Sequence, residues 1–452
     1  MKNKYSILAV LCLSGATVPF SGNSINLALK DISTDLGMNA VAISWIVTAM
    51  MLPSAVLQIP FGKAGDIIGH KKILLIGIAL FTAASTACVF VTDGTTLLVL
   101  RFVQGVGTAM MFGTTMAIIM NVFPREERGK VIGINTAVVY LALAAGPVVG
   151  GMLTHYFGWR SIFAITALMG VISIAGIVLL LKSEWKEKQT GKFDMLGMGV
   201  YSGALVSILW GVSMLPSFEG IVLTVIGLPA LLLFVFIEKR HSAPMFDVRM
   251  FFSNRVFRMS SFAALINYSA TYAIGFLVSL YLQYIKGLDP QQAGWILLSQ
   301  PVAMMSLSLL AGRLSDSIDA TKLATLGMAV IVVSLCILLT ISASTPVWLL
   351  ITVLLVLGCG FGLFSSPNTN VIMSSVEKRH LGMASATTGT MRQVGQAFSM
   401  GITMMMLSLF VGKMQITVEV YPLLMRCMRV TFLILTVLCC AGVYLSSVRK
   451  RP

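Results

Sequence analysis

Charge is scarce in this 452-residue chain: only 11% of its residues are Asp, Glu, Lys or Arg. Soluble domains carry about 25%, and no soluble fold of this length could bury the 57% of residues that are hydrophobic. Carboxylates are rarer still, 17 against 32 Lys and Arg, and there are four histidines. No Cys-x-x-Cys occurs among the seven cysteines, so neither a zinc site nor a disulfide framework is indicated. No metal and no cofactor is therefore expected. There is no Gly-xxxx-Gly-Lys-Ser/Thr loop, which argues against ATP as the energy source. The net charge of +15 would suggest nucleic acid in a soluble protein. Here the basic residues sit in short connectors between apolar runs, so nucleic acid is not an expected partner.

What is present is apolar length. Mean hydropathy is +0.90, and a spanning helix needs about 20 mostly apolar residues. The sequence predicts an all-α membrane protein of about fourteen transmembrane helices: 5–29, 41–61, 73–91, 96–122, 130–154, 159–181, 195–215, 220–237, 257–285, 293–311, 323–342, 347–371, 382–410 and 428–447. The first run is read as a span, not a cleaved leader. The organisation expected is a six-helix bundle over 1–181, a linker with two extra helices over 182–256, and a six-helix bundle over 257–452. Only Lys30, Arg160, Lys286, Lys413, Arg426 and Arg429 then fall on the far side, and Arg101 and Arg392 fall inside spans; every other Lys and Arg lies on the side of the N-terminus. That bias is the positive-inside pattern and predicts both termini in the cytoplasm, in the cell membrane.

The two halves repeat. Gly62 and Asp66 recur as Gly312 and Asp316, an offset of 250, in the connector after the second span of each half. A basic-acidic stretch, 124–129, recurs at 377–382 with an offset of 253. Two pseudo-symmetric six-helix bundles in parallel repeat are a transporter architecture, with the substrate site near the midplane.

Several motifs carry a family resemblance. Gly62-xxx-Asp66-xx-Gly69-His70-Lys71-Lys72 resembles the signature loop of the major facilitator superfamily, where glycines let helix ends approach and the Asp can latch one of two rocking states. Gly312 and Asp316 are its second copy. Leu97-xxx-Arg101-xx-Gln104-Gly105 resembles the family's fourth-helix motif; Arg101 and Gln104 share a face. Ala142-xxx-Gly146-Pro147-xx-Gly150-Gly151 resembles its fifth-helix antiporter motif. In the second half, Gly362 to Asn368 and Arg392-Gln393-Val394-Gly395-Gln396 resemble the fourteen-helix drug:proton antiporter branch. The resemblance covers the whole chain. It implies a multidrug-type exporter of small amphipathic molecules, coupled to protons and working by alternating access, not an enzyme, and a monomer in the bilayer.

One departure bears on coupling. The branch usually carries an Asp in the first helix; here that position is Ser21, and the Pro of the following stretch is Lys30. Asp31, Asp35, Asp93, Glu219, Asp289 and Glu419 lie outside and the other acids inside, so no carboxylate is expected deep in a span. Proton coupling normally uses an embedded acid or histidine. Three outcomes are open: a peripheral acid such as Asp31 couples; the carrier is uncoupled or electrogenic; or anionic substrates, such as a specific metabolite or organic anion, are balanced by arginine. Substrate or coupling candidates are Arg101, Gln104, Asn23, Asn26, Asn267, Tyr268, Tyr272, Arg392 and Gln396.

Overall fold

The computed structural model describes residues 2–124, 127–186, 194–240, 248–315, 317–377, 381–412 and 414–448. Among them there is no strand. The helices are α1 (Lys2–Leu36), α2 (Ala40–Ile68), α3 (His70–Cys88), α4 (Gly94–Val122), α5 (Arg128–Phe157), α6 (Arg160–Leu180), α7 (Met195–Met214), α8 (Phe218–Arg240), the short α9 (Val248–Ser253), α10 (Arg255–Leu280), α11 (Pro290–Leu297), α12 (Ser299–Leu314), α13 (Ala320–Leu338), α14 (Val347–Ser374), α15 (Leu381–Phe410) and α16 (Tyr421–Ser447). A π turn, Tyr281–Ile285, continues α10.

Among the described residues thirteen spans are long and apolar enough to cross a bilayer, with α10 plus its π turn and α11 plus α12 each counting as one. The helix α15 has 30 residues but carries Arg392, Gln393 and Gln396, which dilute its apolar character. Counting it by length gives the fourteen expected. Helix is the structure lipid dictates, because every backbone N–H and C=O must find its partner within the chain.

By internal contacts the chain forms two compact units: residues 1–38, 45–207 and 226–245, and residues 39–44, 208–225 and 246–452. In the first, α1 packs on α5 and α6, and α3 packs on α4 and α6. In the second, α10 packs on α15 and α16, and α13 on α14 and α16. Each pairing in one unit has its counterpart in the other.

The repeat extends to individual glycines. A Cβ on Gly77 would stand 2.8 Å from the Gly107 carbonyl oxygen, and one on Gly327 would stand 2.6 Å from that of Gly360. A Cβ on Gly105 would stand 2.2 Å from the Met50 carbonyl oxygen; one on Gly358, 2.2 Å from that of Gln300. The partners Gly77 and Gly327, and Met50 and Gln300, are separated by the same 250 positions as Gly62 and Gly312. Gly105 and Gly358, and Gly107 and Gly360, share the offset of 253. These close approaches are the small-residue packing of membrane helices, where van der Waals contact replaces the hydrophobic drive.

The sequence places Gly62 to Asp66 in a connector. The structure corrects this: α2 runs through Ile68, so the motif is helical and only Gly69 separates α2 from α3. Gly69 has φ 123°, open to glycine and strained for any other residue. In the second copy Gly312 is likewise helical, inside α12. Asp316 lies outside the described residues.

Candidate functional site

In the first unit two constellations of polar side chains join the spanning helices. The first centres on Arg101 of α4, which is 1% exposed. Its Nε donates to the Ile46 carbonyl of α2 at 2.8 Å, and Nη1 donates to Gln104 Oε1 at 2.8 Å. Gln104 Nε2 donates to Ser85 Oγ of α3 at 2.8 Å, and Ser85 Oγ donates on to the Phe81 carbonyl at 2.7 Å. The i, i+3 spacing that predicts a shared face thus yields a direct bond. A buried guanidinium is tolerated because its donors meet oxygens. The named members of this chain of bonds include no group that titrates near neutrality. Chemically it can clamp α2, α3 and α4 together; it cannot carry a proton.

The second constellation joins α1 to the antiporter-like stretch of α5. Pro147 has no N–H, so the carbonyl one turn back, at Leu143, loses its helical donor. Asn23 Nδ2 donates to that carbonyl at 3.0 Å. Beside it Ser24 Oγ donates to the Gly146 carbonyl at 2.9 Å. The seam closes because α5 offers no side chains there: a Cβ on Gly146 would lie 2.8 Å from Asn23 Cβ, and one on Gly150 would lie 2.5 Å from Ser24 Cβ. Gly151 is buried in the same helix. Asn26 is buried one turn further along α1.

At one end of this unit the signature motif makes its own cluster. Asp66 Oδ2 lies 3.4 Å from Lys63 Nζ, and Oδ1 lies 3.1 Å from His70 Nε2. Lys71 is half-buried and Lys72 is exposed. A Cβ on Gly62 would stand 3.3 Å from the Gly113 carbonyl oxygen of α4.

In the second unit Tyr268 of α10 meets Phe361 of α14 edge to face, with centroids 5.4 Å apart. Its Cβ packs where Gly395 of α15 lacks one. Arg392, Gln396 and Tyr272 are half-buried. Asn267 is fully buried, and neither amide atom has a hydrogen-bond partner among the described residues. Leaving such a group unpaired costs about 1–3 kcal/mol, which calls for a reason. Gly312 of α12 approaches α14, where a Cβ on the glycine would stand 3.0 Å from Ser366 Oγ.

Carboxylates expected outside the spans lie in the end turns of spanning helices, not deep in them. Asp31 and Asp35 fall in the last turns of α1, and Glu238, near the end of α8, is 2% exposed. Asp31 lies within electrostatic range of Lys30 and His155. Asp35 Oδ2 accepts from Arg160 Nη1 at 2.7 Å and from Trp159 Nε1 at 3.0 Å. Sequence reading ends the first span at Leu29, and α1 continues to Leu36.

The family profile described as Major Facilitator Superfamily matches residues 11–400. The chain belongs to the major facilitator superfamily. It is an integral membrane protein of a transporter family. It is similar to the riboflavin transporter RibZ of Clostridioides difficile, 31% identical over 404 residues, covering 89% of this chain and 87% of that protein. The methylenomycin A resistance protein of Bacillus subtilis is 28% identical over 409 residues, covering 88% and 86%. The multidrug resistance protein Stp of Mycobacterium tuberculosis is 28% identical over 389 residues, covering 84% and 71%. The two resistance proteins are consistent with the drug:proton antiporter branch that the motifs resemble. A solved bacterial homologue of the human lysosomal transporter Spinster, in an inward-facing and unoccupied conformation, shares the fold with a TM-score of 0.72 at 15% identity, over 99% of this chain and 97% of that one.

Proposed function

We propose that this superfamily member exports small amphipathic molecules from the cytoplasm in exchange for protons, as a monomer in the cell membrane with both termini cytoplasmic. The observation that carries this reading is the α1–α5 seam. There a proline-weakened helix is held by two side chains of α1, Asn23 to Leu143 and Ser24 to Gly146, along a glycine face. A seam of that kind can bend at Pro147 as the transporter changes state, because one helical hydrogen bond is missing there. The antiporter-like motif and the resistance proteins among the relatives support export. Asn267, with a buried amide unclaimed by its neighbours, is a candidate ligand contact, alongside Tyr268, Tyr272, Arg392 and Gln396. Asp31 is the candidate coupling acid, since the Arg101 chain of bonds cannot titrate. The Gly62–Lys72 motif, with its second copy at Gly312 and Asp316, is the candidate conformational switch.

A second reading is a carrier for one specific metabolite. The riboflavin transporter among the relatives favours it, with an aromatic, hydrogen-bonding solute as the substrate class. Flux in proteoliposomes separates the two. Ethidium, tetraphenylphosphonium and riboflavin are offered under an imposed pH gradient and, separately, an imposed voltage. Movement of the two cations driven by the pH gradient supports the exporter. Movement of riboflavin alone, indifferent to the pH gradient, supports the specific carrier and contradicts the exporter.

A further inference from the structure

The segment that leaves α6 toward the inserted helices doubles back onto the signature motif. Helix α3 begins at His70, and its first intrahelical bond comes from Ile73, whose N–H donates to the Gly69 carbonyl at 3.2 Å. The N–H groups of His70 and Lys71 therefore have no acceptor within their own helix. Both are taken by residues more than a hundred positions away. His70 N–H donates to the Trp185 carbonyl at 2.9 Å, and Lys71 N–H donates to Glu184 Oε1 at 2.8 Å. The same oxygen accepts from the Trp185 N–H at 3.3 Å, which fixes the carboxylate's orientation. A negative group at a helix N-terminus also meets the positive end of the dipole.

The fit is tight on both sides. Gly69 leaves room for the carboxylate, since a Cβ there would stand 2.5 Å from the Glu184 carboxyl carbon. Trp185 packs against the apolar cluster that contains Leu74, Phe123, Ile177 and Leu181. The residue whose backbone is held, His70, is also the one whose ring meets Asp66 at 3.1 Å and fills the space where Gly65 has no side chain.

We propose that Glu184 and Trp185 are positioning residues for the switch motif: the strap caps α3 and, through His70, sets where Asp66 stands. The inference rests on reading the Gly62–Lys72 motif as the conformational switch. It ties the tether of the two inserted helices to that switch. The sequence pattern alone contains no pointer to it, because Glu184 caps α3 from 113 positions away.

The test needs no transported compound, so it stands whether or not ethidium or riboflavin moves. The full-length protein in nanodiscs is compared with Glu184→Ala and Glu184→Gln. Amide exchange is read at His70 and Lys71, and the His70 imidazole signal is read by NMR with labelled histidine. Glu184→Ala is expected to speed exchange at both amides about fivefold, the order of a lost helix cap, and to shift the His70 signal while His155 stays in place. Glu184→Gln keeps an acceptor oxygen and is expected to remain within about twofold of the native rates, a bound set by the retained bond. Unchanged exchange in Glu184→Ala overturns the proposal. Faster exchange with an unmoved His70 signal overturns the positioning role. Should exchange in α4 rise as well in Glu184→Ala, the Glu184→Gln protein decides: native protection supports the strap, and its loss overturns it.

Discussion

Asn23 Nδ2 stands 3.0 Å from the Leu143 carbonyl, the acceptor that Pro147 leaves without a helical donor. The relationship explains why an amide on α1 faces a proline on α5, and why Gly146 and Gly150 flank it. In a bilayer the orphaned carbonyl has no water to turn to.

Removing that amide leaves the carbonyl unpaired. Asn23→Ala should lower stability by about 1 kcal/mol, the scale of a part-buried hydrogen bond. In a Pro147→Ala background α5 recovers its own N–H, and the same substitution should cost less. A double-mutant cycle on denaturant or thermal midpoints in detergent checks this; a coupling energy below about 0.5 kcal/mol would contradict it.

Arg101 and Gln104 together join three helices, through the bonds of Arg101 to Ile46 and Gln104 and the bond of Gln104 to Ser85. Arg101→Ala should lower flux about tenfold or more and lower the melting temperature, because Gln104 and Ile46 lose a charged donor. Arg101→Lys keeps the charge but not the fork, and should recover less than half of the lost flux. Flux per folded transporter is the measurement; full recovery by Lys would reduce Arg101 to a point charge.

The repeated close approaches make a matched pair of tests. Gly105→Ala and Gly358→Ala each place a Cβ 2.2 Å from a backbone oxygen of a neighbouring helix. Both should destabilise, by about 1–3 kcal/mol each, since backbone must move. Gly133→Ala, in α5 with nothing within 4 Å, should be neutral or stabilising by about 0.5–1 kcal/mol from helix propensity. Thermal midpoints of the three variants give the answer, and a damaging Gly133→Ala would undo the packing argument.

The pH dependence of one cap has a definite sign. Asp93 caps α4, accepting the Thr96 N–H at 2.8 Å, and bonds to Thr96 hold its carboxyl below the usual 3.8. A depressed folded value means that the cap's contribution is present above the unfolded value and lost as pH falls through the folded one. The stability of Asp93→Asn should therefore depend less on pH below about 4 than that of the native protein. Unfolding midpoints at pH 3 to 6 check it.

The architecture is legible in the sequence because lipid leaves so few choices. Runs of the right length interrupted by Lys and Arg are spanning helices, and glycines at offsets of 250 and 253 mark the repeat before any contact is known. Arg101 and Gln104 are legible as neighbours because helical spacing is local. Ser85, the third member, carries no such signal, being on another helix. Pro147 announces a free carbonyl at Leu143, but nothing in the sequence says that the donor is Asn23, 120 positions away. The break between α11 and α12 at Leu298 and the π turn at Tyr281–Ile285 fall inside apolar runs where period alone gives no warning. The helical course of α2 through Ile68 is hidden by glycines that would suit a connector equally well.

Proton exchange is the claim on which the proposed function stands, and it can be read inside the vesicle. Proteoliposomes loaded with pyranine and given external ethidium should show their lumen turning alkaline as ethidium enters, in the native protein and not in Asp31→Asn. Ethidium entry with no change in lumen pH would contradict the account.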